Sequence, residues 1–371
     1  MRVRGLTSLA SVEIDLSSAV TLLVGPNGAG KSNVVDAFEM LGRIVDQQLN
    51  DHLLRNGGFS GLRHRPSDPA TASDAIEIEV LGEWQGEVSN GYWVRLEGVS
   101  DDTALVRETT VFHDRSRYPD RPHTTQLVAA RESKLREVAA TDATASHVLR
   151  LVSGCRVFHF DDTSPDAPPK RRVDPANNLT LAPDAGNIAA VLLRLRSADP
   201  GRYQRIVRTI RTVAPYFDDF VLEPEQSWLR LRWRERGLDG VFSAENLSDG
   251  TLRFICLTVL LLQDSGPGTI VLDEPELGLH PFAIHQLASL LRRAAKDRRV
   301  VAATQSVTLL EQFSVEEVAI VERTTNGTSI HRPDPGALTQ WLADYSVGEL
   351  WEKNLLGGRP RPDDSPSAVS G

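Results

Sequence analysis

Eight consecutive residues, Gly25-Pro26-Asn27-Gly28-Ala29-Gly30-Lys31-Ser32, read G-x-x-x-x-G-K-S. Glycines at these spacings let the backbone curl with its N–H groups turned inward, an arrangement that cradles phosphate oxygens. An apolar run, Val20 to Val24, precedes the loop, and a helical pattern from Asn33 to Leu41 follows it. That strand–loop–helix setting is what a phosphate loop needs, because the helix N-terminus adds partial positive charge. The loop and Asn33 form the predicted nucleotide-contacting set. Lys31 is expected to reach β- and γ-phosphates, and Ser32 to ligate Mg2+.

A second segment, Thr269-Ile270-Val271-Leu272-Asp273-Glu274-Pro275, is an apolar strand ending in two carboxylates. Adjacent carboxylates repel, and a cation relieves the repulsion. Asp273 is expected to hold Mg2+ opposite Ser32, and Glu274 to act as general base on the attacking water. Taken alone, the segment also reads as a strand followed by a solvated acidic turn.

A third segment, Asn246-Leu247-Ser248-Asp249-Gly250-Thr251-Leu252-Arg253, opens an apolar helical stretch, Phe254 to Gln263, and lies 25 residues before Asp273. Its LS-x-G core resembles the signature of ABC ATPases. Ser248, Asp249 and Gly250, at a helix N-terminus, suit an anion contact. An ordinary Ser N-cap with a Gly turn has the same local pattern. Glu276-Leu277-Gly278-Leu279-His280-Pro281 occupies the D-loop position, where His280 is read as a structural or capping residue. Val300-Val301-Ala302-Ala303-Thr304-Gln305-Ser306 is another apolar strand, with Gln305 at the switch position. A glutamine there can donate a hydrogen bond to a γ-phosphate but carries no charge.

With these motifs in this order, the chain resembles the RecF/SMC/OLD-like branch of ABC ATPases. Within that branch it is similar to a small bacterial group carrying stretches like LSDGTLRF, DEPELGLHP, ATQS and YSVGELWEKNLLGGRP, over about residues 1 to 358. The resemblance implies an α/β P-loop NTPase fold: an ABC-ATPase head with a mainly parallel core sheet, an antiparallel β-subdomain and a compact lid insertion. It implies ATP and Mg2+ bound at two composite sites of a head-to-head homodimer. Better-known relatives act in DNA repair, chromosome maintenance or phage defence, so double-stranded DNA and a separately encoded effector protein enter as expected partners. Two departures stand out. Gln305 replaces the switch histidine, and the Q-loop position has only Gln126 as a candidate, which also reads as a surface residue. A nucleotide-gated scaffold controlling an effector and a transporter ATP-binding subunit are the alternative classes.

The 371 residues, 40% hydrophobic and 25% charged, suit one large domain. The domain is expected over 1–356, with core segments 1–50 and 245–335 and an insertion over about 76–240; 357–371 reads as a disordered tail. Two distant cysteines, Cys155 and Cys256, point to a reducing compartment. The longest mainly apolar run, Phe254 to Leu262, is too short to span a bilayer. A cytoplasmic protein without membrane contact is expected.

The net charge of −9 gives no global basic footprint, but local ones exist. Arg230, Arg232, Arg234 and Arg236 alternate along an expected strand, so all face one way. Arg202, Arg205 and Arg208 recur on an expected helix, and Lys170-Arg171-Arg172 sits in a Pro-rich loop. Each patch also reads as a solvated face. Along the chain, 50–72 reads as a loop, 76–112 as strands, 127–152 as helical, 161–184 as a loop, 186–214 as two helices broken at Asp199-Pro200, and 337–356 as a closing helix. The 216 residues between Lys31 and Ser248 lack sustained heptads, which argues against long coiled-coil arms. Trp341 and Trp351 are expected in the core.

Overall fold

The computed structural model describes residues 1–65, 73–264 and 266–357. Of the predicted disordered tail, all but Gly357 lies outside the described residues. The chain divides into two compact units. One comprises Met1–Arg156 with the stretch from Val315 onward, and the other Val157–Ser314.

The first unit opens with a hairpin of β1 (Arg2–Leu6) and β2 (Leu9–Glu13), then β3 (Val20–Val24) and α1 (Lys31–Val45). All five residues of β3 are buried. A continuous apolar run of this kind marks a strand covered on both faces. Two short helices follow, α2 (Leu49–Arg55) and α3 (Gly58–Leu62), where a loop was expected. Leu49 and Leu53 bury one face of α2. Gly57 and Gly58 do not break structure here; their φ values of 90° and 77° form the joint between the helices.

Strands β4 (Ala75–Leu81), β5 (Val88–Gly98), β6 (Ala104–Asp114) and β7 (His123–Gln126) join the first hairpin in an antiparallel sheet ordered β2-β1-β4-β5-β6-β7. The expected alternation holds: Ile76, Ile78, Val80, Tyr92, Val94 and Leu96 are all buried. Gln126 is exposed on the edge strand β7. The helical stretch is shorter than expected, being α4 (Leu135–Ala139) and α5 (Ala143–Ser153). Buried Glu108 explains the non-helical lead-in. Its carboxylate accepts from Tyr92 Oη at 2.5 Å, Ser133 Oγ at 2.6 Å and the Lys134 backbone N–H at 2.7 Å. Strand β8 (Cys155–Phe158) carries the chain across the boundary.

In the second unit, α6 (Ile188–Ala198) and α7 (Pro200–Val213) meet at Asp199, whose carboxylate caps the Arg202 N–H at 2.9 Å. Strands β9 (Phe217–Val221), β10 (Arg232–Glu235) and β11 (Phe242–Ser243) form a small antiparallel sheet. Helix α8 (Asp249–Leu262) buries every residue from Leu252 to Leu262. Then come β12 (Thr269–Asp273), α9 (Pro281–Ala294), β13 (Arg299–Thr304) and α10 (Val307–Leu310). β12 and β13 pair in parallel, with Val271 opposite Val301. The chain returns to the first unit as β14 (Val318–Thr324), β15 (Gly327–His331), α11 (Pro335–Leu342) and α12 (Val347–Glu352). β14 runs parallel to β3 and antiparallel to β15. The closing helix is thus two helices, divided at Ser346, whose side chain and that of Glu349 form a reciprocal capping box. Trp351 is half-buried, but Trp341 is exposed rather than in the core.

Candidate functional site

In the first unit, the phosphate loop leaves β3 and enters α1 through Gly30, whose φ of 106° is open to glycine. No side chain caps the start of α1. Its first N–H groups therefore have no intrahelical acceptor, and they form a ready anion site. Lys31 is buried, and its Nζ donates to the carbonyls of Gly25 at 2.7 Å and Pro26 at 3.1 Å. These bonds fold the amine along the loop it belongs to. Asn27, Gly28 and Ser32 are exposed, and a Cβ on Gly28 would meet nothing within 4 Å. The open mouth, inward amine and uncapped helix fit a polyphosphate, with Ser32 offering a hydroxyl for Mg2+.

The rear of the loop is bolted by residues that the sequence reading did not single out. Thr328 Oγ1 on β15 donates to the Ala29 carbonyl at 2.9 Å and shares a hydrogen bond of 2.7 Å with Ser8 Oγ. Asn33 Nδ2 donates to the same Ser8 Oγ at 2.6 Å. The Asn33 amide nitrogen thus braces the loop. A side chain on Gly30 would strike both Thr328 and Ser8, a second reason for glycine there.

In the second unit, β12 ends at Asp273 and the next residue, Glu274, has φ of 43°. A left-handed, non-glycine backbone is costly and persists where surroundings enforce it. Here the Glu274 N–H donates to the Ala303 carbonyl at 2.8 Å, extending the β12–β13 ladder by one residue. Gln305 Nε2 donates to Glu274 Oε1 at 2.6 Å. Gln305 therefore orients the carboxylate of Glu274. Two residues on, Glu276 is buried, and Thr304 Oγ1 donates to its Oε1, while Oε2 has no hydrogen-bond partner. Burial pushes the Glu276 carboxyl above the usual range, against the pull of Thr304. Glu276 thus fixes the turn after Glu274. His280 Nδ1 accepts from the Phe282 N–H at 3.3 Å and caps α9, the capping role anticipated for it.

Ser248 caps α8, accepting from the Thr251 N–H at 3.2 Å and donating to Thr251 Oγ1 at 2.8 Å. Asp249 is the first residue of that helix. Gly250 has a packing role: a Cβ there would lie 2.6 Å from the Gly278 carbonyl oxygen. Arg253 reinforces the same junction. It is buried and donates to the carbonyls of Phe160 at 3.0 Å, Asp161 at 3.1 Å and Leu277. The signature helix and the D-loop are thus locked together within one unit. Leu277 and Phe282, flanking the D-loop turn, are 55% and 48% exposed.

The basic patches separate into engaged and free groups. Lys170 donates to the Thr163 carbonyl, Arg171 to the Asp166 carbonyl, and Arg202 to Asp199 and the Leu262 carbonyl. Among the described residues, Arg172, Arg230 and Arg234 make no side-chain hydrogen bond or ion pair. No cluster of His, Cys, Asp and Glu suited to a metal occurs among those residues, and no helix is long and apolar enough to cross a membrane.

Comparison with known proteins bears on the fold. The chain resembles the crystal structure of an Smc head bound to the C-terminal winged-helix domain of ScpA, at 16% identity, covering 91% of this chain and 98% of that one, with a TM-score of 0.61. A second likeness is to an Smc head with an extended coiled coil, bound to the C-terminal domain of ScpA and derived from Pyrococcus furiosus. It has 14% identity, covers 92% of this chain and 98% of that one, and has a TM-score of 0.52. At these identities the likeness establishes the fold alone, that of an Smc head. Two human proteins match over shorter stretches. ATP-binding cassette sub-family G member 8 is 31% identical over 125 residues, and ATP-binding cassette sub-family A member 10 is 40% identical over 62. Those stretches span 34% and 17% of this chain but only 18% and 4% of the relatives. Residues 20–311, most of the chain and all of the motifs above, match one family, and the chain belongs to it: "AAA domain, putative AbiEii toxin, Type IV TA system".

Proposed function

We propose that the chain binds ATP with Mg2+ and hydrolyses it, and that ATP joins two copies head to head. The observation that carries this reading is Glu274. A carboxylate held in a strained backbone conformation, directly after an apolar strand and oriented by Gln305 at 2.6 Å, is built to face a reacting atom. The loop from Gly25 to Ser32 would hold the phosphates, with Lys31 turning from its carbonyl partners toward the γ-phosphate. Ser32 and Asp273 would hold Mg2+, which supplies charge neutralisation on the phosphate oxygens. Glu274 would accept the proton of the attacking water.

Dimerisation draws support from the signature side. Ser248 and the N-terminus of α8 offer an anion contact, and exposed Leu277 and Phe282 flank the D-loop as apolar surface that a second copy would cover. Such a contact made with ATP and lost with ADP makes head affinity nucleotide-dependent. DNA and an effector protein are the partners proposed for the dimer, in repair, maintenance or phage defence. A nucleotide-gated switch is the second reading, because the residue at the switch position is an uncharged glutamine, which can hydrogen-bond a γ-phosphate but brings no positive charge to it.

The test is Glu274→Gln with ATP and Mg2+ in sedimentation. We expect ATP binding retained, turnover lost and a trapped dimer. A variant that binds ATP yet stays monomeric refutes the head-dimer proposal.

A further inference from the structure

We propose that the second unit carries a binding surface for single-stranded nucleic acid, centred on Trp228, Arg172 and Arg230. The inference is independent of the ATPase reading.

The surface is built by strand pairing. Val173 and Leu229 exchange backbone hydrogen bonds of 2.9 Å in each direction, and both side chains are buried. Their neighbours Arg172, Trp228 and Arg230 therefore face outward together. The alternation continues into β10: Leu231 and Trp233 point inward, while Arg232 and Arg234 share the outer face with Arg230. From Trp228 to Arg234 this outer row spans roughly 20 Å. Arg236, past the end of β10, falls outside it.

The backbone at Trp228 is fixed by a turn. Glu225 and Trp228 close a tight hairpin through backbone bonds of 2.8 and 3.1 Å, with Gln226 in the left-handed region at φ 57°. Its indole is nonetheless 49% exposed. Arg172, Glu225, Gln226, Trp228 and Arg230 line one cavity of about 200 Å3. Glu225 is paired with Arg232 at 2.8 Å, and Asp174 accepts from the Ala176 N–H. Arg172 and Arg230 have no such partner among the described residues.

These facts do not suit a merely solvated face. In a chain with 50 acidic against 41 basic side chains, arginines find carboxylates easily, as many here do. An exposed indole beside two partnerless guanidiniums offers a stacking platform and two phosphate clamps. An acidic peptide would use the charges but leave the indole face unused. A base and its flanking phosphates use both, and only an unpaired base exposes the face that stacks.

The test is fluorescence anisotropy of a labelled oligothymidylate of about 20 nucleotides with the full chain, repeated over a salt series. We expect Trp228→Ala to weaken binding roughly 5- to 150-fold and Trp228→Phe to restore most of it. Arg172→Ala with Arg230→Ala should lower the log–log salt slope by about 1.4. All three side chains are exposed or half-exposed, so the variants should fold, with thermal unfolding as the check. No binding by the wild-type chain, equal binding by Trp228→Ala, or preference for polyglutamate over the oligonucleotide would each overturn the proposal.

Discussion

Gly250→Ala separates two explanations for one residue. If Gly250 only presented its N–H to a phosphate, alanine would serve as well, because the N–H remains. The structure adds a constraint: the new Cβ would lie 2.6 Å from the Gly278 carbonyl oxygen. Ordinary contact starts near 3.4 Å, so helix and D-loop must separate by about 0.8 Å. Displacements near 1 Å in a catalytic arrangement cost about 100-fold in rate. The loss of stability should be moderate. Overpacking costs about 1–3 kcal/mol, while replacing a glycine in the first turn of α8 returns about 0.5–1 kcal/mol. We therefore expect ATP turnover to fall roughly 10- to 100-fold, with net destabilisation under about 2.5 kcal/mol. Steady-state phosphate release and urea unfolding measure the two quantities on the same preparation. Turnover within twofold of wild type would refute the idea that this backbone approach sets the D-loop. A variant largely unfolded under the assay conditions would show a general folding defect instead.

Three further outcomes follow from particular contacts. Gln305→Ala removes the 2.6 Å bond to Glu274 and should slow turnover about 10-fold without changing ATP affinity, a split read from kcat and a separate nucleotide titration. Thr328→Val leaves the Ala29 carbonyl without its donor, so ATP affinity should drop about 5- to 100-fold, measured by calorimetry. Asp46, at the end of α1, is partly buried, which would raise its carboxyl, but Arg156 and Arg136 hold it below the usual range. Its stability contribution is therefore present above the ordinary aspartate pKa and lost as pH falls through the lowered folded value. Asp46→Asn should cost about 1–2 kcal/mol at neutral pH, after allowance for solvent screening, and flatten the acid limb of thermal unfolding.

What the sequence disclosed was what local pattern can carry. β3, β12 and β13 announce themselves as apolar runs, and the strands around Ile76 and Tyr92 by strict alternation. The loop from Gly25 to Ser32 needs no distant partner to be recognised. The break at Asp199-Pro200 follows from proline's fixed φ and the aspartate cap. Contacts across long sequence separations left no local trace. Ser8 and Thr328 lie 320 residues apart, and nothing near either signals that they meet behind Gly30. Arg253 looks like any charged residue early in a helix, yet its donors tie three carbonyls of two other segments. The pair Gly57-Gly58 reads as a helix breaker and instead joins two helices, because Leu49 and Leu53 find buried surface. Trp341 reads as a core residue, but α11 buries Leu338 and leaves Trp341 exposed. For Gln305, spacing located the position, while its partner, Glu274, came only from the parallel pairing of β12 and β13.

The most direct measurement is ATP turnover per molecule across a range of protein concentrations with Mg2+, for wild type and Glu274→Gln in parallel, with ATP binding recorded for both. We expect wild-type turnover that rises with protein concentration, and a variant that binds ATP without turning it over. Turnover independent of concentration, or equal in the two proteins, would contradict it.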